Sequence, residues 1–264
     1  MMLLCPVCGK ELNQAERVAR CENGHCFDIA KEGYINLLLG SKSGDKMGDD
    51  KHSARSRRDF LNKGYYAPLR DALCRIFADK TGTLLDICCG EGYYTSALAE
   101  NPKLDVYGFD IAREMVRLAA KRGKGTYFVA NMASIPVADA SFDHAVHLFA
   151  PFKESEFSRI LKPGGDLYTV IPGADHLFGL KSAVYDTPYR NDEKLPQTES
   201  LQLVSTEKVT AMITLQSPED IESVFRMTPY YFHTSETDRK KLLAYETLET
   251  PVEFLIAHFK KPKG

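Results

Sequence analysis

The stretch Thr83–Thr95, TLLDICCGEGYYT, sets the terms for the rest of the chain. A short apolar run, Leu84 to Ile87, carries one acid, Asp86. Gly90, Glu91 and Gly92 follow before a helix-like pattern begins. Strand, tight glycine turn and helix in that order open a doubly wound α/β sheet, because only glycine lets backbone approach a nucleotide-like ligand closely. The alternation continues downstream. Strands are expected at 84–88, 106–109, 127–130, 142–148 and 166–171, with helices at 92–100, 112–122 and 154–161. That order implies a parallel sheet with helices on both faces. Further on, 204–215 and 253–259 read as a late strand pair, the last lying antiparallel, with helices at 217–227 and 236–247. Residues 69–78 read as a helix packed at the sheet edge, and 172–196 as a cover over the ligand.

Two ligand classes compete for the glycine turn. A dinucleotide fingerprint needs glycine or alanine at its third position, where this chain has Thr95, and Glu91 places negative charge where a pyrophosphate would sit. S-adenosylmethionine is a cationic sulfonium without phosphate, so acids at Asp86 and Glu91 are acceptable to it. Asp110 at the end of the second strand suits a ribose diol in either case, and Asn131 closes the third. Asp86, Gly90, Glu91, Gly92, Asp110 and Asn131 are therefore the candidate cofactor-binding residues. Lys162-Pro163-Gly164-Gly165 is a turn into the fifth strand and favours the sulfonium ligand.

The N-terminus carries a second constellation. Cys5-Pro6-Val7-Cys8 is a CxxC knuckle beside Gly9, and Cys21 arrives after twelve residues, followed by Gly24, His25 and Cys26. Zinc takes four N/S ligands in a tetrahedron, and ligand pairs on tight turns supply two each. Cys5, Cys8 and Cys21 are three of them, and residue chemistry leaves the fourth between His25 and Cys26. Four protein ligands leave no open position, so the metal is structural, and a module this short needs it to fold. The following Phe27–Leu39 supplies apolar residues for that module's core. Lys31 and Tyr34 could alternatively face a nucleic acid, as cation and stacking platform.

Three regions follow: a zinc-binding module over 1–40, a connection and approach segment over 41–65, and a catalytic domain over 66–264. Gly40–Lys51 reads as a mobile linker. Arg55, Arg57, Arg58 and Lys63 among aromatics then read as either a phosphate-contacting run or a solvated helix face. A net charge of −2 argues against the whole molecule being a polyanion binder, and no apolar run is long enough to span a bilayer. Seven cysteines in CxxC and CC arrangements fit a reducing cytoplasm better than a disulfide scaffold.

Asp86-x-x-x-Gly90-x-Gly92, Asp110 and Leu161-Lys162-Pro163-Gly164-Gly165 together resemble the class I S-adenosylmethionine-dependent methyltransferases, with a Rossmann-like seven-stranded sheet. The loop departs from their pattern at Cys88, where the first glycine is usual. The zinc knuckle, FDIAKEGYINLL and DICCGEGYYT together resemble a narrower family, the bacterial 23S ribosomal RNA guanine-N1 methyltransferases. The likeness runs from about residue 5 to the C-terminus and is strongest over 5–110. It implies methyl transfer to N1 of a guanine in a domain II hairpin, 23S rRNA as partner and a homodimer. One branch of the family is linked to macrolide resistance. It also implies zinc on Cys5, Cys8, Cys21 and His25, and cofactor contacts at Tyr66, Gly90, Glu91, Asp110 and His176. No residue is nominated as the base for N1.

Phe149-Ala150-Pro151-Phe152 lies where the base should enter, and it lacks the Asp/Asn-Pro-Pro-aromatic motif of exocyclic-amine enzymes. Phe149 or Phe152 is expected either to stack on the base or to pack in the core. Two other functions remain as alternatives: a small-molecule methyltransferase with a purely structural zinc module, and a non-catalytic zinc RNA-binding protein. The AKEGY element argues against the first, and intact Gly90, Gly92 and Asp110 against the second.

Overall fold

The computed structural model describes residues 3–40 and 51–263, so the expected linker lies, but for its ends, outside the described residues. The N-terminal segment is a small antiparallel meander of β1 (Asn13–Ala15), β2 (Val18–Arg20) and β3 (Cys26–Asp28). A short β4 (Ile35–Asn36) leaves it. Two helices come next, α1 (Lys51–Asn62) and α2 (Ala67–Phe77). The alternating core is β5 (Gly82–Ile87), α3 (Tyr93–Leu98), β6 (Leu104–Asp110), α4 (Arg113–Arg122), β7 (Thr126–Val129), β8 (Phe142–Leu148), α5 (Glu154–Ile160) and β9 (Leu161–Pro172). The chain closes with α6 (Phe178–Val184), β10 (Gln202–Leu215), α7 (Pro218–Arg226), α8 (Glu236–Lys241) and β11 (Leu248–Lys260).

The main sheet has the order β10-β11-β9-β8-β5-β6-β7-β4. Strands β4 to β9 run parallel, while β11 and β10 are antiparallel additions at one edge. The seven expected strands are present, and β4 adds an eighth. Its pairing, Ile35 with Phe128 and Asn36 with Val129, fuses the zinc segment to the far edge of the catalytic sheet. A single bridge from Leu3 to Val137 makes a second attachment. Sequence reasoning missed this because a two-residue strand leaves no periodic signal.

Several elements differ in place or length from their expectation. α2 packs against the edge strand β10, as expected, and also extends over one face of the sheet. Its Leu69, Leu73 and Phe77 share one apolar cluster with Leu84, Val106, Val146 and Tyr168 from the central strands. Lys162–Gly165 is a bulge inside one long strand: Phe142 pairs with Leu161 and His144 with Asp166, so the four residues between have no partner in register. An added Cβ at Gly165 would sit 2.9 Å from the Lys162 carbonyl, which explains the glycine. The helix expected at 236–247 stops at Lys241, gives one 3₁₀ turn over Leu242–Ala244, and yields to β11. By contrast α7 starts where its Ser-Pro signal lies. Ser217 Oγ accepts from the Asp220 N–H, and Pro218 occupies the first turn.

Candidate active site and metal centre

The strand order reverses direction at β5, which has β6 on one side and β8 on the other. In open parallel sheets a ligand crevice opens outside the strand ends at such a point. A cavity of about 240 Å³ lies there. Asp86 to Glu91 leave β5 along its floor, Asp110 ends β6 beside them, and Leu148, Phe149 and Ala150 end β8 opposite. Arg57 and Leu61 of α1, Tyr66, Tyr93, Tyr94 and Met227 complete the wall.

The turn that shapes this floor is a run of left-handed residues. Cys88, Gly90 and Gly92 have φ of 59°, 55° and 80°. Gly90 faces open space, so a side chain there would grow toward whatever fills the cavity. At Gly92 an added Cβ would meet Ala119 at 2.8 Å, so glycine is needed to pack α3 on α4. Cys88 occupies the usual first-glycine position and adopts the glycine-like backbone at a cost of about 1 kcal/mol. The Gly90 N–H donates to Asp110 Oδ2 at 3.0 Å, which ties the turn to the end of β6.

The acids have distinct environments. Asp86 is buried, and its Oδ2 accepts from Thr95 Oγ1 at 2.6 Å, while Oδ1 has no protein partner. Burial pushes its carboxyl up to about 7, the Thr95 hydrogen bond opposes that and the Asp110 charge adds to it. Glu91 Oε2 accepts from Arg122 Nε at 2.6 Å, and its Oε1 is unpartnered. Burial still leaves the Glu91 carboxyl raised. The Tyr94 hydroxyl is a third buried polar atom without a partner. Three orphaned polar groups around one cavity call for a ligand that brings its own donors and acceptors. The ammonium and ribose hydroxyls of S-adenosylmethionine are such groups, and the apolar Leu61, Met115 and Leu148 suit the rest of that molecule.

Five of the eight expected cofactor residues line this cavity: Tyr66, Asp86, Gly90, Glu91 and Asp110. Gly92 lies beneath it as the residue before α3. Asn131 does not line it, and its Oδ1 accepts from the Ala133 N–H at 2.9 Å. His176 is buried behind Tyr66, its Nε2 3.1 Å from the Tyr66 hydroxyl. None of the lining comes from 172–200, so the segment expected as a cover lies off the cavity. Met227 was not expected. It arrives from the end of α7, and no local motif marks such a long-range contribution.

The loop after β8 separates the two phenylalanines. Phe152 packs against His147, Phe157 and Phe259 in the core. Phe149 instead lines the cavity and is 42% exposed, on a left-handed backbone with φ 56°. Strained residues of this kind persist where surrounding structure holds them. His147 is part of that structure. Its Nε2 donates to the Pro151 carbonyl at 3.1 Å, and burial pulls the ring down to about 4, so it stays neutral.

At the N-terminus the ligand atoms of Cys5, Cys8, Cys21 and His25 all lie within 4.8 Å of one another. His25 Nδ1 is 3.5 Å from Cys5 Sγ and 3.4 Å from Cys21 Sγ, and Cys8 and Cys21 sulfurs are 3.6 Å apart. Zn–S and Zn–N bonds of about 2.3 and 2.0 Å at tetrahedral angles require separations of roughly 3.5–3.8 Å, so the four atoms fit zinc. Cys26 Sγ is exposed and turned to the Gly24 carbonyl at 3.3 Å, so the geometry favours His25. Tyr34 is buried among Val116, Ala119, Tyr127 and Cys89, and its hydroxyl accepts from Arg113 Nε at 3.2 Å. It is a core residue and no platform for a base. Lys31 remains exposed.

Comparison with known proteins agrees with both halves. A family described as "RlmA, N-terminal" matches residues 3–40, and one described as "Methyltransferase domain" matches 84–165. The chain is 34% identical over 191 residues to the 23S rRNA (guanine(748)-N(1))-methyltransferase of Streptomyces fradiae, covering 69% of this chain and 67% of that protein. The chain belongs to the 23S rRNA (guanine-N1)-methyltransferase family. A Bacillus subtilis (strain 168) member, YxjB, which carries that activity name provisionally, is 32% identical over 72% of this chain and 71% of its own length. As a member of the family the chain is an S-adenosylmethionine-dependent methyltransferase with a structural zinc ribbon. Among the described residues no helix is long and apolar enough to cross a membrane.

Proposed function

We propose that this chain transfers the methyl group of S-adenosylmethionine to N1 of a guanine in a domain II hairpin of 23S ribosomal RNA. The observation that carries the reading is the union, in one folded sheet, of a family-specific zinc ribbon with a switch-point cavity lined by orphaned polar groups. When bound, the cofactor supplies an electrophilic methyl group on sulfur. The chain's own residues bind and orient. Asp86 would hold the ammonium and Asp110 the ribose diol, and the unpartnered Tyr94 hydroxyl and Glu91 Oε1 would complete the polar wall. Neutral guanine N1 carries a proton and is a poor nucleophile until that proton leaves, so alignment of the ring with the methyl group is the main contribution the fold makes.

Phe149 is the residue for that alignment. It is exposed at the rim, lines the cavity and is held by its N–H to the Val170 carbonyl and its ring against Phe254, so the target base stacks on it. Stacking of a base on an aromatic ring contributes about 1–3 kcal/mol. Phe149→Ala should therefore slow single-turnover methylation roughly tenfold or more while S-adenosylhomocysteine affinity stays within about twofold. A variant with unchanged rate would remove Phe149 from the site.

Tritiated methyl transfer to unmodified 23S rRNA, followed by nucleoside analysis, tests the activity. Label in N1-methylguanosine is expected. Label found only on small metabolites would overturn the RNA reading. The reading also carries a homodimer, taken from the family resemblance, and a cytoplasmic setting, taken from the cysteine arrangements. A monomer throughout a sedimentation series at assay concentrations would remove the first of these.

A further inference from the structure

Helix α1 carries charge that the fold leaves unmatched. It holds Arg55, Arg57 and Arg58 against one acid, Asp59. Its inner side is fixed at both ends. Ala54 packs on Ala112, Met115 and Leu118 at α4, while Phe60 and Leu61 join the core cluster that contains Ile221 and Val224 of α7. Just past the helix, Lys63 Nζ and the Tyr65 hydroxyl donate to the two carboxylate oxygens of buried Asp220 at the start of α7. α1 therefore runs from α4 to α7 across the mouth of the switch-point cavity, with Arg57 and Leu61 in the lining.

The basic run thus divides. Lys63 is bound to Asp220, and Arg57 turns to the cavity. Arg55 is left exposed and Arg58 partly so. Among the described residues neither makes an ion pair or a hydrogen bond, although Asp59 lies one helical turn on from Arg55. Many exposed cations elsewhere are matched by acids: Arg75 by Glu207, Lys124 by Glu100 and Lys240 by Glu236. The location of Arg58 shows in the Glu91 carboxyl of the cavity lining. Burial raises that carboxyl, and the Arg122 guanidinium and then the charges of Arg58 and Arg57 oppose the rise.

Unmatched cations beside this cavity work against its proposed ligand, because S-adenosylmethionine is a net cation and arginines at the mouth repel it. A neutral small substrate does not offset that repulsion. A nucleic acid strand does, since each phosphate neutralised releases condensed counterions. We infer that Arg55 and Arg58 on α1 form a phosphate clamp for the RNA strand that carries the target guanine, holding its backbone beside the cavity mouth. The proposal rests on the RNA reading above and assigns the α1 run to backbone contact. Contacts of this kind set the register of a strand and read no bases.

The full chain and a transcript of the domain II hairpin of 23S rRNA supply the test. Arg55→Gln/Arg58→Gln removes both charges and keeps helix propensity. In fluorescence anisotropy across a salt series, the slope of log affinity against log salt should shrink by between about 1.4 and 1.8, the loss of two phosphate contacts. Hairpin affinity near about 0.1 M salt should fall roughly tenfold, and KM for the hairpin should rise with it. At saturating hairpin kcat should hold within about twofold, as should S-adenosylhomocysteine affinity. Arg55→Lys/Arg58→Lys keeps the charge and should keep the slope, and so should Arg75→Gln, whose charge Glu207 already matches. An unchanged slope in the Gln variant would make this side of α1 a solvated helix face and overturn the clamp. Lost kcat or S-adenosylhomocysteine affinity with hairpin affinity intact would overturn it in favour of the cofactor cavity. A Gln variant whose only change is dissociation of a dimer in sedimentation would overturn it in favour of contact between copies. An unmutated protein that does not bind the hairpin would overturn the RNA reading itself.

Discussion

Asp86 holds a carboxyl at the bottom of the proposed cofactor cavity with one oxygen tied to Thr95 and the other unpartnered. Burial raises it to about 7, so the free protein favours its protonated form near neutrality. The sign follows from linkage. A folded-state value above the ordinary one gives a stabilising contribution that is full below about pH 4 and fades as pH rises through about 7. A ligand ammonium beside Oδ1 reverses the preference, and binding then releases a proton. S-adenosylhomocysteine affinity should therefore rise with pH between about pH 6 and pH 7.5. Calorimetry in buffers of different ionisation enthalpy should show proton release that Asp86→Asn abolishes. An unchanged proton count in the variant would place the ammonium elsewhere. At this scale the sequence was most legible where chemistry is local. Asp86, Gly90, Glu91 and Asp110 sit at strand ends and glycine turns, and the zinc ligands sit at knuckle spacing. Arg57, Tyr94 and Met227 were not legible as site residues, because tertiary packing alone brings them to the cavity.

Strand β9 shows what an element can hide. Its sequence announces the Lys162–Gly165 irregularity but not the ion cluster beside it. Asp166, buried at the opposite end of the sheet from the cofactor cavity, accepts from Lys80 at 2.8 Å, His258 at 2.9 Å and Lys260 at 3.0 Å, with His144 Nδ1 3.2 Å away. Burial works to raise its carboxyl, but the His144 ring beside it and the hydrogen bonds from His258, Lys80 and Lys260 hold it well below the usual carboxylate range. A depressed carboxylate contributes stability above its ordinary value near pH 4 and loses it as pH falls. These partners come from β8, β11 and the turn before β5, so no window of sequence contains the cluster. Asp166→Asn leaves the half-exposed Lys80 and Lys260 without their buried counter-charge and should cost about 2 kcal/mol in denaturant unfolding at neutral pH. It should also flatten the acid limb of stability against pH. A loss below about 1 kcal/mol would mean the cluster is solvated in effect.

The whole molecule departs most from a reading of separable parts. The zinc segment does not stand alone: its Leu3, Leu12, Ile29 and Ile35 share one core with Leu85, Phe109 and Phe128 of the catalytic sheet and with Val137 of the loop before β8. Tyr34 further reaches Cys89, next to the cofactor turn. The sequence separates these regions because their motifs are separate, and nothing in either motif records the strand pairing between them. Cys8→Ala, expected from a detached module to spare the cofactor site, should instead lower the unfolding midpoint of the whole chain in one transition. It should also weaken S-adenosylhomocysteine binding several-fold. An unchanged catalytic transition beside a lost zinc would show the two parts to be independent.

The identity of the methylated atom is the most direct test of this enzyme's proposed specificity. Unmodified 23S rRNA, incubated with the protein and S-adenosylmethionine, should give a reverse-transcription stop beside one guanine of domain II, because a methyl group on N1 blocks its pairing edge. Mass analysis of that fragment should locate a single added methyl on the same base. Methylation at another base, or at a guanine position that leaves pairing intact and gives no stop, would contradict it.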